Sequence, residues 1–277
     1  MNVEHLSNNK NGENSMSTNE MLLNKVGLAT GAANGVGRAV AMRMADEGAD
    51  VVVSDIDQLA GEAVVEEIEA LGRTAQFIKT DMSSVESIRK MVSAAVNRFG
   101  QIDLLSNNVG ITRIQGLFDV TEQDWDLLHS VNAKGAFFCL QAVAEHMVAR
   151  GEGRIVNTAS IACLGYRDTT SIAYSASKAS VFAMTRVAAH LLKDHGVTVN
   201  SVCPGPTHSG FALAGMDEER RESVDEEALS KRMDEAVPIG RANTPTDVAN
   251  VIIFLLSDQA RNVNGSAYTV DGGIMLQ

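Results

Sequence analysis

The stretch "KVGLATGAANGVGRAV", residues 25–40, decides the fold. It opens as a short apolar run, 25–30, and turns through "TGAANGVG", 30–37. It continues as "VGRAVAMRMADEG", 36–48, a helical pattern ended by Gly48. A strand that feeds a glycine-rich turn and then a helix is the first unit of a parallel, helix-covered sheet. Gly31, Gly35 and Gly37 are more glycine than a plain connection needs. Without Cβ atoms the backbone can approach a ligand closely, and the amides and dipole of the following helix suit a pyrophosphate. Asn34 and Val36 lie between the glycines in the same candidate site. The spacing departs from GxGxxG, because Ala39 and Val40 stand where the last glycine would fall.

Downstream the same rhythm repeats. "ADVVVSD" (49–55) reads as a β-branched strand, 59–72 as a helix closed by glycine, 75–81 as a strand and 85–100 as a helix. "IDLLSNNVG" (102–110) is a strand and turn, and 121–151 is a long helical stretch with Thr121 as N-cap and Asp124 in its first turn. Strand 153–160, helix 172–196 with Ser171 as cap, and strand 197–205 stopped by Pro204 follow. A helix opened by Pro245 spans 245–258, and a last strand spans 265–273. The expectation is α/β: one doubly wound domain of about seven parallel strands with helices on both faces. Residues 207–237 are charged and carry no strand signal; this insertion reads either as a solvated helical excursion or as a substrate lid. Residues 1–21 are polar and rich in Asn and Ser, the pattern of a disordered tail before a domain over 22–277.

Composition narrows the partners. The chain has 277 residues, 45% hydrophobic and 4% aromatic, with a net charge of -12. Such a field repels nucleic acid and anionic membranes. There is no apolar run long enough to span a bilayer and no apolar segment of a secretory signal. Cys139, Cys163 and Cys203 form no CxxC pair and read as small buried thiols of a reducing, cytoplasmic compartment. The six histidines make no HExxH pair, and His190 and His195 fit one helix face poorly, so no metal is expected.

Two further features carry chemistry. Asp55 ends the second strand, about 20 residues past the glycines, where a carboxylate hydrogen-bonds ribose hydroxyls and repels a 2′-phosphate. Ile56 and Asn34 add no basic group there, which favours NAD over NADP; Arg38 could reach a phosphate or pair with an acid. In "AYSASKAS" (173–180), Tyr174 and Lys178 lie one helical turn apart on one face.

With TGxxxGxG, "NNVG" (107–110), a serine ahead of YxxxK, and PG after a strand, the chain resembles the classical short-chain dehydrogenase/reductase family from Lys25 to the last strand. The resemblance implies a Rossmann-type domain that moves a hydride between NAD(H) and a secondary alcohol or ketone. Tyr174 would be the general acid/base, and Lys178 would lower its pKa and hold the nicotinamide ribose. Ser160 would polarise the carbonyl, and the backbone carbonyl of Asn132 would hold a water on the proton path. Asp81 and Met82 would lie near adenine, with Asn108, Val109 and Gly110 beneath the adenosine. Pro204 and Gly205 match the family's cofactor-binding PG segment, with Thr207 or Ser209 on the nicotinamide carboxamide. Asp271, Gly272 and Gly273 match the family's structural closing turn.

Ile111, Thr112, Ser160, Ala162, Leu164 and Tyr166 would line the substrate pocket. Their apolar balance suggests a hydrophobic or cyclic secondary alcohol, while Arg113 and Arg167 could select a carboxylate. The Ser160–Tyr174 separation is one residue longer than in the commonest members. An NADPH-dependent carbonyl reductase of the same fold and a catalytically silent nucleotide-binding regulator are the alternatives; the full set Asn132, Ser160, Tyr174 and Lys178 disfavours the latter. The resemblance also implies a homotetramer built on the two long helices.

Overall fold

A computed structural model describes residues 20–166 and 170–275. The strands are β1 (Val26–Thr30), β2 (Asp50–Asp55), β3 (Ala75–Lys79), β4 (Leu104–Asn107), β5 (Gly153–Thr158), β6 (Val197–Pro204) and β7 (Ala267–Val270). They form one sheet in the order β3-β2-β1-β4-β5-β6-β7, and every pairing is parallel. The order reverses between β1 and β4. There the carboxyl ends of neighbouring strands diverge to opposite sides and leave a crevice.

The crossovers are helical: α1 (Gly35–Asp46), α2 (Gln58–Ala70), α3 (Val85–Phe99), α4 (Glu122–His129), α5 (Ala136–Arg150), α6 (Ile172–Leu192) and α10 (Pro245–Leu256). Successive strand residues point to opposite faces, so each strand feeds two cores. Ala29, Val51, Val53, Leu104 and Val156 join the α1, α2 and α10 side with Val40, Met44, Ile68 and Ile252. Leu28, Val52, Leu105 and Ile155 join the opposite side with Ile88, Met91, Val143 and Met147 from α3 and α5. Burial on both faces explains the unbroken apolar character of these strands.

A polar ladder crosses the sheet's centre. Asn107 donates to the Ala136 carbonyl at 2.9 Å and to Asn157 Oδ1 at 3.0 Å, and Asn157 donates to the Thr185 hydroxyl at 2.9 Å. Asn107 and Asn157 stand opposite each other in the β4–β5 register. The ladder ties the central strands to α5 and α6, because breaking it would strand buried amides without partners.

Three expectations need adjustment. The stretch 121–151 is helical, with Thr121 capping Asp124 as expected, but α4 and α5 are joined by a π-helical turn, Ser130–Gly135. Met21, assigned to the tail, belongs to the folded body. Its N–H donates to the Glu47 carboxylate at 3.1 Å, it packs on the core, and Leu22 beside it is buried. Residues 1–19 of the proposed tail lie outside the described residues. The insertion 207–237 holds three short helices, α7 (Phe211–Ala214), α8 (Glu218–Ser223) and α9 (Glu226–Glu235).

The glycine turn is sterically closed. A Cβ on Gly37 would sit 1.9 Å from the Gly31 carbonyl oxygen, which is backbone and cannot step aside. Gly72 has open space around it and only a positive φ of +81°. Gly37→Ala should therefore destabilise by about 2–3 kcal/mol. Gly72→Ala should lose about 1 kcal/mol. Urea unfolding of both variants checks the ranking, and equal losses would contradict the closed turn.

Candidate active site

The crevice begins at the amino end of α1. Side chains of Asp57, Ser84, Thr121, Ser171, Asp225 and Thr244 cap the first amides of α2, α3, α4, α6, α9 and α10. Asn34 makes no such bond to α1, and the first turn of α1 carries no acidic residue. These amides therefore remain available to an anion at the positive end of the helix dipole. A Cβ on Gly35 would lie 3.4 Å from Ser209, so the turn and the segment after β6 face each other closely. Val36 is partly buried and packs on the α1-side core. This cradle fits a dinucleotide pyrophosphate: it is narrow, rich in backbone amides and free of carboxylates in the helix's first turn.

Asp55 stands beside the turn at the end of β2. Its carboxylate accepts the Ala33 N–H at 3.0 Å and the amides of Ile56 and Asp57 at 2.7 and 3.1 Å. Ile56 is exposed, whereas Met82 is buried against Gly135, whose added Cβ would meet the Met82 carbonyl. Asp81 closes its own turn by accepting from the Ser83 amide and hydroxyl. Arg38 pairs with Glu67 on α2. Asn108 and Val109 both donate their N–H to the Thr30 hydroxyl, which locks the "NNVG" turn to β1.

Farther along the crevice, Asn132, Ser160, Tyr174 and Lys178 come together from three separate segments. Tyr174 and Lys178 share one face of α6, and both are buried. The Lys178 ammonium donates to the Thr158 carbonyl at 2.8 Å. Gly110 makes room for it, since a Cβ there would lie 2.9 Å from the lysine nitrogen. Ser160 caps its own turn by accepting the Ala162 N–H at 3.1 Å, and its hydroxyl favours the ionised form of Tyr174. Asn132, in the π turn, accepts the Ile111 N–H at 2.8 Å and donates to the Ile111 carbonyl at 2.9 Å and to the Ser177 hydroxyl at 3.0 Å. Its side chain is thus a clamp on the loop after β4, a role separate from the backbone carbonyl emphasised by the resemblance.

The electrostatics correct one expectation. Burial pushes the Tyr174 phenol up to about 12, and the Ser160 hydroxyl opposes that only in part. Burial also pushes the Lys178 ammonium down to about 8. Lysine was expected to lower the tyrosine value, but loss of water dominates the shift of the phenol.

The segment after β6 is held by Gly205, whose N–H donates to the Val270 carbonyl, and by the Thr207 hydroxyl, which donates to the Gly205 carbonyl. Pro204 closes β6, and Asp271 accepts the Gly273 and Met275 amides, a structural turn as expected. Thr112 is buried with its hydroxyl on that of Thr170. Ala162 is buried and Leu164 half-buried in the short turn after Ser160, and Tyr166 packs on the same cluster. Arg113 pairs with Asp124 and donates to the Thr112 carbonyl; Arg167 lies outside the described residues.

Sequence reasoning missed Phe211. Its ring lies 5.7 Å from that of Tyr174, carried there by α7. The Ile114 N–H donates to the Gly215 carbonyl, which fastens the insertion to the loop after β4. No pattern in a charged insertion announces such a contact. The Thr158 carbonyl was missed as well, since any residue there would supply it.

Among the described residues no group of His, Cys, Asp or Glu is arranged to hold a metal ion, and no helix is long and apolar enough to cross a membrane. The family model described as Enoyl-(Acyl carrier protein) reductase matches residues 31–275. The (hydroxy(phenyl)methyl)succinyl-CoA dehydrogenase subunit BbsD of Thauera aromatica is 40% identical over 250 residues, covering 90% of this chain and 96% of that protein. The 3-oxoacyl-acyl-carrier-protein reductase FabG of Staphylococcus epidermidis is 36% identical over 256 residues, covering 92% of this chain and all of its own length. Among solved structures, NAD+-bound xylitol dehydrogenase superposes with a TM-score of 0.84 at 30% identity, covering 91% of this chain and 99% of its own. The uncapped helix, the buried Tyr–Lys pair and these matches together show that the chain belongs to the short-chain dehydrogenase/reductase family of nicotinamide-dinucleotide oxidoreductases.

Proposed function

We propose that this protein is an NAD(H)-dependent oxidoreductase that interconverts a hydrophobic or cyclic secondary alcohol and its ketone. The observation that carries this reading is the convergence of Ser160, Tyr174 and Lys178 in the same crevice as the uncapped end of α1. Bound NAD accepts or returns the hydride at the nicotinamide ring. Gly31, Asn34, Gly35 and Val36 would hold its pyrophosphate with Gly37, and Asp55 its adenosine ribose. Ser209, which lies against Gly35, belongs to the phosphate end; that leaves Thr207 for the carboxamide.

In ketone reduction the Tyr174 phenol gives its proton to the carbonyl oxygen, and Ser160 donates a hydrogen bond to that oxygen as charge builds on it. A phenol pushed up to about 12 is already in the protonated form this direction needs. Lys178, anchored on Thr158, presents its remaining N–H groups to the ribose and to the proton path. Phe211 and Leu164 supply an apolar wall, and the insertion that carries Phe211 acts as the lid. A second reading is an NADPH-dependent carbonyl reductase of the same fold, and the name of the Staphylococcus epidermidis relative adds a 3-oxoacyl thioester as its substrate. Asp55 supports NAD, because a 2′-phosphate would meet its carboxylate.

The outer face of α4, α5 and α6 supports self-association into a homotetramer. Trp125, Phe137, Val187 and Leu191 are 40%, 41%, 59% and 66% exposed there. An apolar face of that kind is typical of an interface. The reaction belongs in the cytoplasm, where the three free cysteines stay reduced.

Three tests follow from these features. A panel of ketones and alcohols with NADH and NADPH should show NAD(H) preference, and Asp55→Ser should shift it toward NADP. Tyr174→Phe should lower turnover by about 10²–10⁴-fold while NADH still binds by fluorescence. Wild-type NADPH preference, or an active Tyr174→Phe, would refute the assignment.

Leu191→Glu should reduce the sedimenting species to a smaller oligomer; an unchanged sedimentation coefficient would place the interface elsewhere.

Lys178 has a folded value of about 8 against an ordinary 10.5. Between these values the unfolded chain binds more protons, so this residue adds stability as pH rises and loses it as pH falls through 8. The difference in unfolding free energy between wild type and Lys178→Met should carry that slope, and a flat difference over this window would contradict the buried ammonium.

A further inference from the structure

Two thiols meet beside the Tyr174–Lys178 pair, and the proposed reaction uses neither. Cys203 is the next-to-last residue of β6 and is fully buried, while Cys163 is partly exposed in the short turn that follows Ser160. The parallel register sets them together. The Ala159 N–H donates to the Val202 carbonyl at 2.8 Å, so the chain after β5 leaves the sheet alongside the end of β6. The Cys163 N–H then donates to the Ser160 carbonyl at 3.1 Å and folds the turn back. Cys163 packs on the cluster that contains Cys203, and a Cβ on Gly205 would touch the Ile161 side chain at 3.6 Å. Cys163 and Cys203 share this cluster, and each is the largest influence on the other's ionisation.

We propose that Cys163 and Cys203 form a redox-active dithiol, a modification site that a hydroperoxide converts to an intramolecular disulfide and thereby arrests the enzyme. The Cys163 thiolate attacks one peroxide oxygen; the O–O bond breaks, and the leaving hydroxide takes a proton to become water. Cys163 is then a sulfenic acid. The Cys203 sulfur attacks the Cys163 sulfur, the S–O bond breaks, the S–S bond forms, and a second water leaves with the Cys203 proton. Two thiols lose two electrons, and the peroxide gains them.

Roles divide by environment. Cys203 and the Lys178 charge both favour the Cys163 thiolate and hold this thiol below its ordinary value, while Cys163 and burial push Cys203 up. Cys163 is therefore the attacking thiol and Cys203 the resolving one. Cys139 is an internal contrast: it is fully buried and pushed up to about 12 by desolvation. Closing the sulfurs to about 2 Å draws the Cys163 turn toward β6. The Ser160 carbonyl is bonded to that turn, and Pro204 and Gly205 follow Cys203, so one bond displaces both walls of the nicotinamide end.

The arrest of turnover rests on the oxidoreductase reading; formation of the bond does not. The test treats the reduced full-length protein with hydrogen peroxide and reads the intact mass, the non-reducing peptide map, and turnover with NADH and the best ketone of the panel. The expected result is a loss of about 2 Da, a 163–203 cross-linked peptide, and a fall in turnover of about tenfold or more that dithiothreitol reverses. Cys163→Ser and Cys163→Ala should keep turnover under reductant, form no cross-link and resist arrest. Cys203→Ala should stop at the Cys163 sulfenic acid, trapped with dimedone; if that variant fails to fold, the Cys163 variants decide alone. Oxidation to a Cys163 sulfinic acid without cross-link, or equal arrest of the Cys163 variants, overturns the proposal. A cross-link that leaves turnover unchanged overturns the arrest. If no ketone or alcohol is turned over, the mass and peptide map still decide whether the dithiol closes.

Discussion

An ammonium group is held out of water at the carboxyl ends of the central strands, and much of the crevice is organised around it. Taking such a charge from water costs roughly several kcal/mol, so every neighbour of Lys178 must either pair with it or make room. The last residue of β5 turns its carbonyl to the nitrogen, and the loop after β4 carries glycine where any side chain would collide. Asn132 fixes that loop from the π turn, and the extra residue of the π turn accompanies the change from α4 to α5. Four segments remote in sequence converge because a single buried charge has to be satisfied from several sides.

The same logic explains why the sheet is parallel and polar at its centre. With both faces covered, β4 and β5 offer no route to water for Asn107 and Asn157, so these amides bond to each other and to α5 and α6. The ladder fixes the height of α6 relative to the strands, and with it the height of Tyr174. At the other end of the crevice the requirement is space. Gly37 against the Gly31 carbonyl leaves α1 so close to β1 that its first amides point into the crevice with no side chain over them. One end of the crevice is built to receive negative charge and the other to hold a positive one, the polarity a dinucleotide reacting at its far ring requires.

The Cys163–Cys203 contact grows out of this construction. β5 and β6 run side by side, and both end at the crevice, so the residues that leave the sheet there are neighbours whatever their identity. Ser160 and Gly205 occupy two such positions, with Cys163 three residues past Ser160 and Cys203 two residues before Gly205. Oxidation chemistry and hydride chemistry would thus share one stretch of backbone.

Local features were decided by the sequence alone. The strand–turn–helix rhythm, the Ser171 and Thr121 caps, the glycine turn, Asp55 at the end of β2, and Tyr174 one turn from Lys178 depend on residues within a few positions of each other, so period and spacing suffice to read them. Tertiary structure decided what depends on packing between distant segments. It set the Tyr174 phenol high, because burial acts through everything around the ring while spacing registers only the lysine. It gave Asn132 a clamping side chain, brought Phe211 from a charged insertion to the face of Tyr174, and drew Met21 into the folded body. It also set two cysteines with no motif between them in contact. Whether a charge is desolvated, or two thiols touch, depends on which strands lie adjacent and how their ends turn, and only the assembled sheet determines that.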